Sequence, residues 1–129
     1  MTDLSTTYLG LNLKNPLVVA ASPLSKNIDK ARKLEEAGVS AIVMHSLFEE
    51  QIIHESLELD HFLTRGTDSS AESMSYFPDS DKYLVGPEKY LNQVTELKKA
   101  LKIPVIGSLN GVSKGGWTKY AKQIQDAGA

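Results

Sequence analysis

The sequence predicts an α/β fold built on a parallel β-sheet, within a single domain of 129 residues. Segments 17–25, 40–48 and 103–111 are apolar over most of their length, and each is followed by a stretch with helical character. Apolar strands without alternation are typical of sheets buried on both faces. Strand–helix repeats of this kind are typical of parallel sheets with right-handed crossovers.

The composition is that of a globular chain and narrows the classes of function. Apolar residues make up 41%, charged residues 23%, and the formal net charge is −2, so neither nucleic acid nor an acidic membrane is an expected partner. The absence of cysteine excludes disulfides and thiolate metal sites in this segment and agrees with a cytoplasmic protein. The longest apolar run, 17–21, is far shorter than the ~20 residues of a membrane span, and the N-terminus does not resemble a signal peptide.

The first half of the chain predicts a hairpin, two strands and a helix. Alternation in 5–14 around Gly10 predicts a small β-hairpin ahead of the first main strand, 17–25. Either Ser25 or Asn27 can cap the following helix, which ends at Gly38 and leads into the second strand.

The second half repeats this pattern. A helix is predicted from Gly86-Pro87 to Leu101, because proline is favoured in a first helical turn. Its apolar stripe is formed by Tyr90, Leu91, Val94, Leu97 and Leu101. The third strand follows, and a final helix runs from about Trp117 to Asp126 and ends at Gly128.

One helix-ending phrase occurs twice. Residues 34–39 (LEEAGV) lead directly into the second strand, and 124–129 (IQDAGA) close the sequence. A glycine after a helix sets up the turn into the next element. We therefore expect the chain to be the front portion of a longer β/α protein, and hence one incomplete domain.

Residues 48–86 interrupt the strand–helix rhythm. Nine acidic residues stand against Arg65 and Lys82, and 66–75 is small and polar. A connection of this length is usually functional or partly helical. We expect a helical turn or two in 49–59, with its inner face formed by Ile52, Ile53, Leu57 and Leu59. The acidic stretch is interpreted either as a solvated surface or as a lid or partner contact.

Each predicted strand ends in small or polar residues, at Ala21-Ser22-Pro23, His45-Ser46 and 107–111. Small residues at these ends allow a flat ring to approach the backbone closely. The alternative is that tight turns between strands and helices simply require small residues.

Other motifs carry weaker signals. The spacings of His45, His54 and His61 match no compact ligand pattern, so no metal site is predicted. The glycines of 107–116 form neither a dinucleotide fingerprint nor a P-loop. The turn 113–116 can offer N–H groups to an anion or can form a solvated cap, and Trp117 is expected to anchor packing.

Several segments together resemble the dihydroorotate dehydrogenase family, and in particular its dihydroorotate dehydrogenase-like flavin oxidoreductases. They are the hairpin, Asn15-Pro16, LVVAASPLS (17–25), EEAGVSAIV (35–43), KIPVIGSLNG (102–111) and Gly116-Trp117. The resemblance implies a (β/α)8 TIM barrel with FMN across the carboxyl-terminal mouth of its strands. This chain would supply about the first three β/α units, preceded by the small N-terminal hairpin.

The resemblance also implies cofactor contacts, at Ala21, Ser22, His45, Ser46 and Ser108. Ala21-Ser22 match an Ala-Ser pair of the family that meets the flavin, although Pro23 stands where the family has glycine. The family's lysine at the end of strand two is absent, and His45, which occupies that region, is mostly neutral at pH 7.

The implied substrate contacts are Glu72, Ser73, Met74 and Asn110. Residues 72–75 (ESMS) stand where the family has an Asn-Ser-Met-Gly segment. The acid in place of asparagine disfavours an anionic orotate-like carboxylate, which weighs against dihydroorotate itself. The catalytic Ser or Cys, a second flavin-contacting lysine and the phosphate-binding turns are expected beyond Ala129, so this segment alone is expected to be inactive.

Three functional interpretations follow. The first is an FMN-dependent oxidoreductase that acts on the CH–CH bond of a small pyrimidine-like ring. The second is a non-catalytic partial barrel that is structural or forms homo-oligomers, because unpaired strand edges invite association. The third, a receiver-like α/β domain, requires an acidic cluster at the strand ends, where Asp3 and Asp29 are not placed.

Overall fold

The computed structural model describes residues 2–67 and 87–129, which form a mixed α/β structure. The strands are β1 (Thr6–Tyr8), β2 (Leu11–Leu13), β3 (Val18–Val19), β4 (Ala41–Val43), β5 (Leu47–Phe48), β6 (Val105–Ile106) and β7 (Leu109–Asn110). The helices are α1 (Ile28–Glu36), α2 (Glu49–Thr67), α3 (Glu88–Ala100) and α4 (Lys114–Asp126), with a 3-10 helix at Pro23–Lys26.

The predicted hairpin is confirmed. Strands β1 and β2 pair antiparallel, with Thr6 opposite Leu13. Leu9 and Gly10 connect them with φ of 50° and 75°. Positive φ at both loop positions is the geometry of a type I′ turn, whose twist matches that of the flanking strands.

The central sheet is parallel, as predicted, and its strand order is β3-β4-β6. Val18 is opposite Ala41, and Ile42 is opposite Val105. The spatial order of these strands therefore follows their order in the chain. The short strands β5 and β7 continue β4 and β6 and also pair in parallel.

The buried core lies on one face of this sheet. Its members are Ala31, Ile42, Met44, Leu47, Ile52, Tyr90, Val94, Leu97, Leu101, Ile103, Val105, Tyr120 and Ile124. On the opposite face of the strands, Val18, Val43 and Ile106 are only half-buried. The helices that the structure describes thus cover one face.

The expectation that 17–25 is a strand buried on both faces is wrong. Leu17 is 62% exposed, and the strand is limited to Val18–Val19 at the edge of the sheet. After it, both the N–H and the hydroxyl of Ser25 donate to the Ser22 carbonyl, at 3.3 and 2.9 Å. These bonds fold the small-residue segment into the 3-10 helix instead of extending the strand.

The helix ends follow the sequence signals. The Asn27 side chain, rather than Ser25, caps α1 by accepting from the Lys30 N–H at 3.0 Å. Gly38 and Gly128 have φ of 104° and 111° after α1 and α4. In each helix the residue after the glycine donates its N–H to a carbonyl in the last helical turn. Val39 donates to Leu34 in α1, and Ala129 donates to Ile124 in α4. This is the Schellman arrangement, so the repeated phrase encodes a repeated geometry.

The apolar stripe of α3 is confirmed, with Tyr90, Val94 and Leu97 buried. The prediction for 49–59 is only partly right. Helix α2 is longer, at 19 residues, and of its predicted inner face only Ile52 is buried, whereas Ile53 and Leu57 are 45% and 64% exposed. Within residues 2–67 and 87–129, no helix is both long and apolar enough to cross a bilayer.

Candidate functional site at the strand ends

A change of register marks the carboxyl end of the parallel sheet. Val43 is opposite Ile106 before it and Leu47 is opposite Leu109 after it, so three residues (44–46) face two (107–108). One extra residue on one strand is the defining feature of a β-bulge, which interrupts the ladder and redirects side chains. Three of the predicted cofactor contacts, at His45, Ser46 and Ser108, lie in this interruption.

Ser46 and Ser108 contact each other directly across the bulge. Their hydroxyl oxygens are 2.7 Å apart, within hydrogen-bond distance. The backbone of Ser108 is held by Tyr90 of α3, whose hydroxyl accepts from the Ser108 N–H at 3.1 Å and donates to its carbonyl at 3.2 Å. Burial raises the pKa of Tyr90, with the bond to Ser108 acting against it, so the phenol remains protonated and able to donate at neutral pH.

Ser25 joins the end of the first main strand to the end of the second. Its hydroxyl accepts from the His45 N–H at 2.9 Å and donates to the Ser22 carbonyl at 2.9 Å. Its carbonyl accepts from the Gln93 amide of α3 at 3.1 Å. Ser25 is fully buried, and these bonds tie three elements together at one point.

His45 is placed as a neutral group. Burial is the larger cause, and the positive charge of Lys26 the smaller, by which its pKa is lowered from the ordinary value. The imidazole Nδ1 lies 3.4 Å from the Ser25 hydroxyl, and the ring meets Tyr90 edge-on with centroids 5.0 Å apart. An uncharged imidazole cannot supply the positive charge that a lysine would bring to this position.

Ser22 differs from the other serines of the cluster. Its hydroxyl oxygen is buried and has no hydrogen-bond partner among the described residues. An unsatisfied buried hydroxyl is unfavourable by about 1–3 kcal/mol. Within the part of the chain that the structure describes, Ser22 is the predicted contact with a buried and unsatisfied hydroxyl.

The remaining predicted contacts are not joined to this cluster. Ala21 and Asn110 are exposed, Ala21 beside Ser22 and Asn110 on β7 opposite Phe48. Glu72, Ser73 and Met74 lie outside the described residues.

Two glycines at the strand ends serve packing. A Cβ at Gly107 would overlap the Cγ2 of Ile124, and one at Gly111 would lie 2.9 Å from the indole of Trp117. Both neighbours belong to α4, which these glycines allow to approach the sheet. At these two positions the close approach of α4 accounts for the absence of a side chain. Trp117 lies against Gly111 but is 48% exposed, so its ring is only partly packed.

The turn before α4 is occupied by the chain itself. The Glu49 carboxylate, whose residue is 5% exposed, accepts from the backbone N–H groups of Val112 and Ser113 and from the Ser113 hydroxyl. These donors, of which the Ser113 hydroxyl is the strongest, lower its pKa. The turn is a helix cap, one of the two predicted alternatives, because the hydroxyl of the exposed Ser113 accepts from the Gly116 N–H. The N–H groups of Val112 and Ser113 bind the carboxylate of Glu49 from the same chain.

Comparison with protein-family models and with curated proteins finds no match. The residues that sequence reasoning missed are Ser25, Glu49, Tyr90 and Gln93. Each works through a contact more than 15 positions away along the chain. The sequence predicts Tyr90 only as part of an apolar stripe, because its ring is apolar and its hydroxyl partner is distant. Among the residues that the structure describes, no three His, Asp or Glu side chains cluster as metal ligands would.

Proposed function

We propose that this chain forms one side of the FMN site of an oxidoreductase that resembles dihydroorotate dehydrogenases and acts on the CH–CH bond of a pyrimidine-like ring. The observation that carries the proposal is the hydrogen-bonded cluster of Ser22, Ser25, His45, Ser46 and Ser108. It joins the carboxyl ends of three neighbouring parallel strands. Parallel α/β proteins bind their ligands at this end of the sheet.

The topology supports a (β/α)8 barrel as the parent architecture. The strand order β3-β4-β6 follows the chain, as it does around a barrel. Helices α1, α3 and α4 contribute to one core on one face, whereas a doubly wound sheet has helices on both. In a barrel, the half-buried side chains of Val18, Val43 and Ile106 would face the interior.

The side chains present fit one edge of a flavin. When bound, FMN supplies the hydride chemistry, and the protein supplies orientation and electrostatics. The unpartnered Ser22 hydroxyl would donate to or accept from the ring, and the small side chain of Ala21 would let the ring approach. The Ser46–Ser108 pair would hold the ends of the second and third main strands in place beside the ring. Neutral His45 would add no charge there.

The substrate contacts remain those of the resemblance, Glu72, Ser73, Met74 and Asn110. A carboxylate at Glu72 repels an anionic ring substituent, so we propose an uncharged pyrimidine-like molecule rather than dihydroorotate. A cytoplasmic location agrees with the absence of cysteine. Neither nucleic acid nor membrane enters this proposal as a partner.

The test is a titration of the 15N-labelled chain with FMN, followed by amide chemical shifts. We expect weak, saturable shifts at Ser22, His45, Ser46 and Ser108, and a weaker affinity in Ser22→Ala. Ser56→Ala, an exposed serine on α2, is the matched control and should bind as the parent does. Absence of shifts at the strand ends would refute the site. Stoichiometric flavin retained through gel filtration would refute the expectation that this chain holds only one side of it.

A second candidate, a non-catalytic partial barrel that associates with itself, is favoured by the open face of the sheet. The outer edges of β3 and β6 pair with no strand in residues 2–67 and 87–129, and Val18, Val43 and Ile106 are half-buried there. Light scattering across a concentration series would test it. Ile106→Asp should shift an oligomer towards monomer, and a parent chain that is monomeric throughout would contradict this candidate.

A further inference from the structure

The attachment of α2 to the rest of the protein is concentrated at its first turn. Among the side chains described for this helix, at 49–64, only Glu49 and Ile52 are buried, at 5% and 8% exposed. Glu55 is half-buried, and the others are exposed. The helix starts directly after Phe48 of β5, so its buried end lies next to the bulge described above.

The Glu49 contact is a set of three bonds to the turn that begins α4. Two backbone N–H groups and the Ser113 hydroxyl point at one carboxylate. The same hydroxyl accepts from the Gly116 N–H at 2.9 Å and caps the helix. Gly116 leaves room for the carboxylate, since a Cβ there would overlap it. Hydrogen bonds to an ionised acceptor are stronger than neutral ones, and a helix N-terminus favours negative charge.

The rest of α2 is stabilised within the helix. The Gln51 amide donates to Glu55 at 3.1 Å, and His54 lies 3.6 Å from Glu58, both at the i,i+4 spacing. The helix has 19 residues and is about 28 Å long. Such a helix exceeds the ~12–15 residues below which isolated helices are marginal.

We propose that Glu49 is a latch, a positioning residue that holds α2 against the start of α4. When the latch is broken, α2 detaches as a unit while the parallel sheet with α1 and α3 remains folded. The reason is that the core side chains of β4, β6, α1 and α3 pack against one another. Helix α2 contributes only Ile52 to this core. This inference does not depend on the flavin proposal.

Amide hydrogen exchange of the full chain tests the latch. Glu49→Ala removes all three acceptor contacts, and Glu49→Gln keeps the shape with a single acceptor oxygen. We expect exchange protection across 50–64 to fall by about tenfold or more in Glu49→Ala and by less in Glu49→Gln, because the first variant removes the ionised acceptor of three hydrogen bonds and the second keeps one acceptor oxygen. Protection of β4, β6 and α3 should be unchanged.

Glu50→Ala is the matched control, since Glu50 is the exposed neighbour in the same helical turn, and it should leave all protection unchanged. Unaltered protection of α2 in Glu49→Ala would overturn the latch. An equal loss in every element would also overturn it, because Glu49 would then support the whole fold. If Glu49→Ala does not fold, Glu49→Gln gives the same comparison at smaller amplitude.

Discussion

The Tyr90 hydroxyl binds both backbone groups of Ser108, accepting from its N–H at 3.1 Å and donating to its carbonyl at 3.2 Å. Ser108 lies in the register change, and its carbonyl also accepts from the Leu47 N–H of the neighbouring strand at 2.8 Å. The phenol of Tyr90 therefore accepts from the Ser108 N–H and adds a second donor to the Ser108 carbonyl. Helix α3 is positioned by this polar contact as well as by its apolar stripe.

We expect Tyr90→Phe to reduce the free energy of unfolding by about 1–3 kcal/mol, because the N–H of the part-buried Ser108 loses its acceptor while the carbonyl keeps only the Leu47 N–H. Urea denaturation gives the change. Tyr120→Phe is the control, since Tyr120 is also a buried helical tyrosine but its hydroxyl makes no hydrogen bond with the described residues. Equal losses in the two variants would contradict a specific role for the Ser108 contact.

The sequence predicts those parts of the fold that depend on neighbouring residues. The turn at Gly10, the cap at Asn27 and the end of α1 at Gly38 each follow from side chains within a few positions. The parallel order of the strands follows from three repeated strand–helix units. In contrast, the apolar pattern of 17–25 does not predict the early end of the strand, because Ser25 binds the Ser22 carbonyl and turns the chain into a 3-10 helix.

The sequence indicates where several residues of the candidate site lie, but not their connections. Small polar residues at strand ends indicate where a site can lie. Ser22 and His45 are linked there through Ser25, and Ser46 contacts Ser108, whereas Ala21 and Asn110 are not joined to them. Their contacts depend on Ser25 and Tyr90, whose partners lie 20 and 18 positions away along the chain. Glu49 and Ser113 are 64 positions apart, so no local pattern distinguishes Glu49 from the solvated acids around it.

Gly107 provides a packing test, because a methyl group there would overlap Ile124. We expect Gly107→Ala to destabilise the protein by about 1–3 kcal/mol, as overpacking of a core does. Adding Ile124→Ala removes the overlapped atoms, so the double variant should lose less than the sum of the single changes. Gly115→Ala is the control, because no atom lies within 4 Å of a Cβ there. Additive losses in thermal or urea unfolding would contradict the clash.

Glu49 gives stability a defined dependence on pH. Its pKa in the folded protein is lowered, first by the Ser113 hydroxyl and then by the two backbone N–H groups, with burial acting in the opposite direction. Its contribution to stability is therefore complete above the ordinary glutamate value of about 4.3 and is lost as the pH falls from there through the folded pKa. This contribution is to the attachment of α2, so exchange protection factors across 50–64, measured from pH 6 to pH 3, should fall more steeply for the parent than for Glu49→Gln. The same dependence on pH in the parent and in Glu49→Gln would contradict Glu49 as its cause.

The pKa of His45 is also lowered, but here the shift favours the uncharged form, whereas for Glu49 it favours the charged form. Burial disfavours the imidazolium, and the charge of Lys26 disfavours it further. The folded state thus binds fewer protons than the unfolded chain, so this contribution is complete above the ordinary histidine value of about 6.5 and is lost as the pH falls below it.

The two causes can be separated by Lys26→Met, which removes the charge and leaves the burial. The pKa of His45, followed by the imidazole Cε1–H shift in an NMR titration, should rise in this variant but stay below the ordinary value, because burial is the larger cause. Lys30→Met, an exposed lysine at the start of α1, is the control and should leave the titration of His45 unchanged. A complete return to about 6.5 in Lys26→Met would contradict burial as the main cause. An unchanged midpoint would instead mean that the ammonium of Lys26 lies too far from the strand ends for its charge to act there.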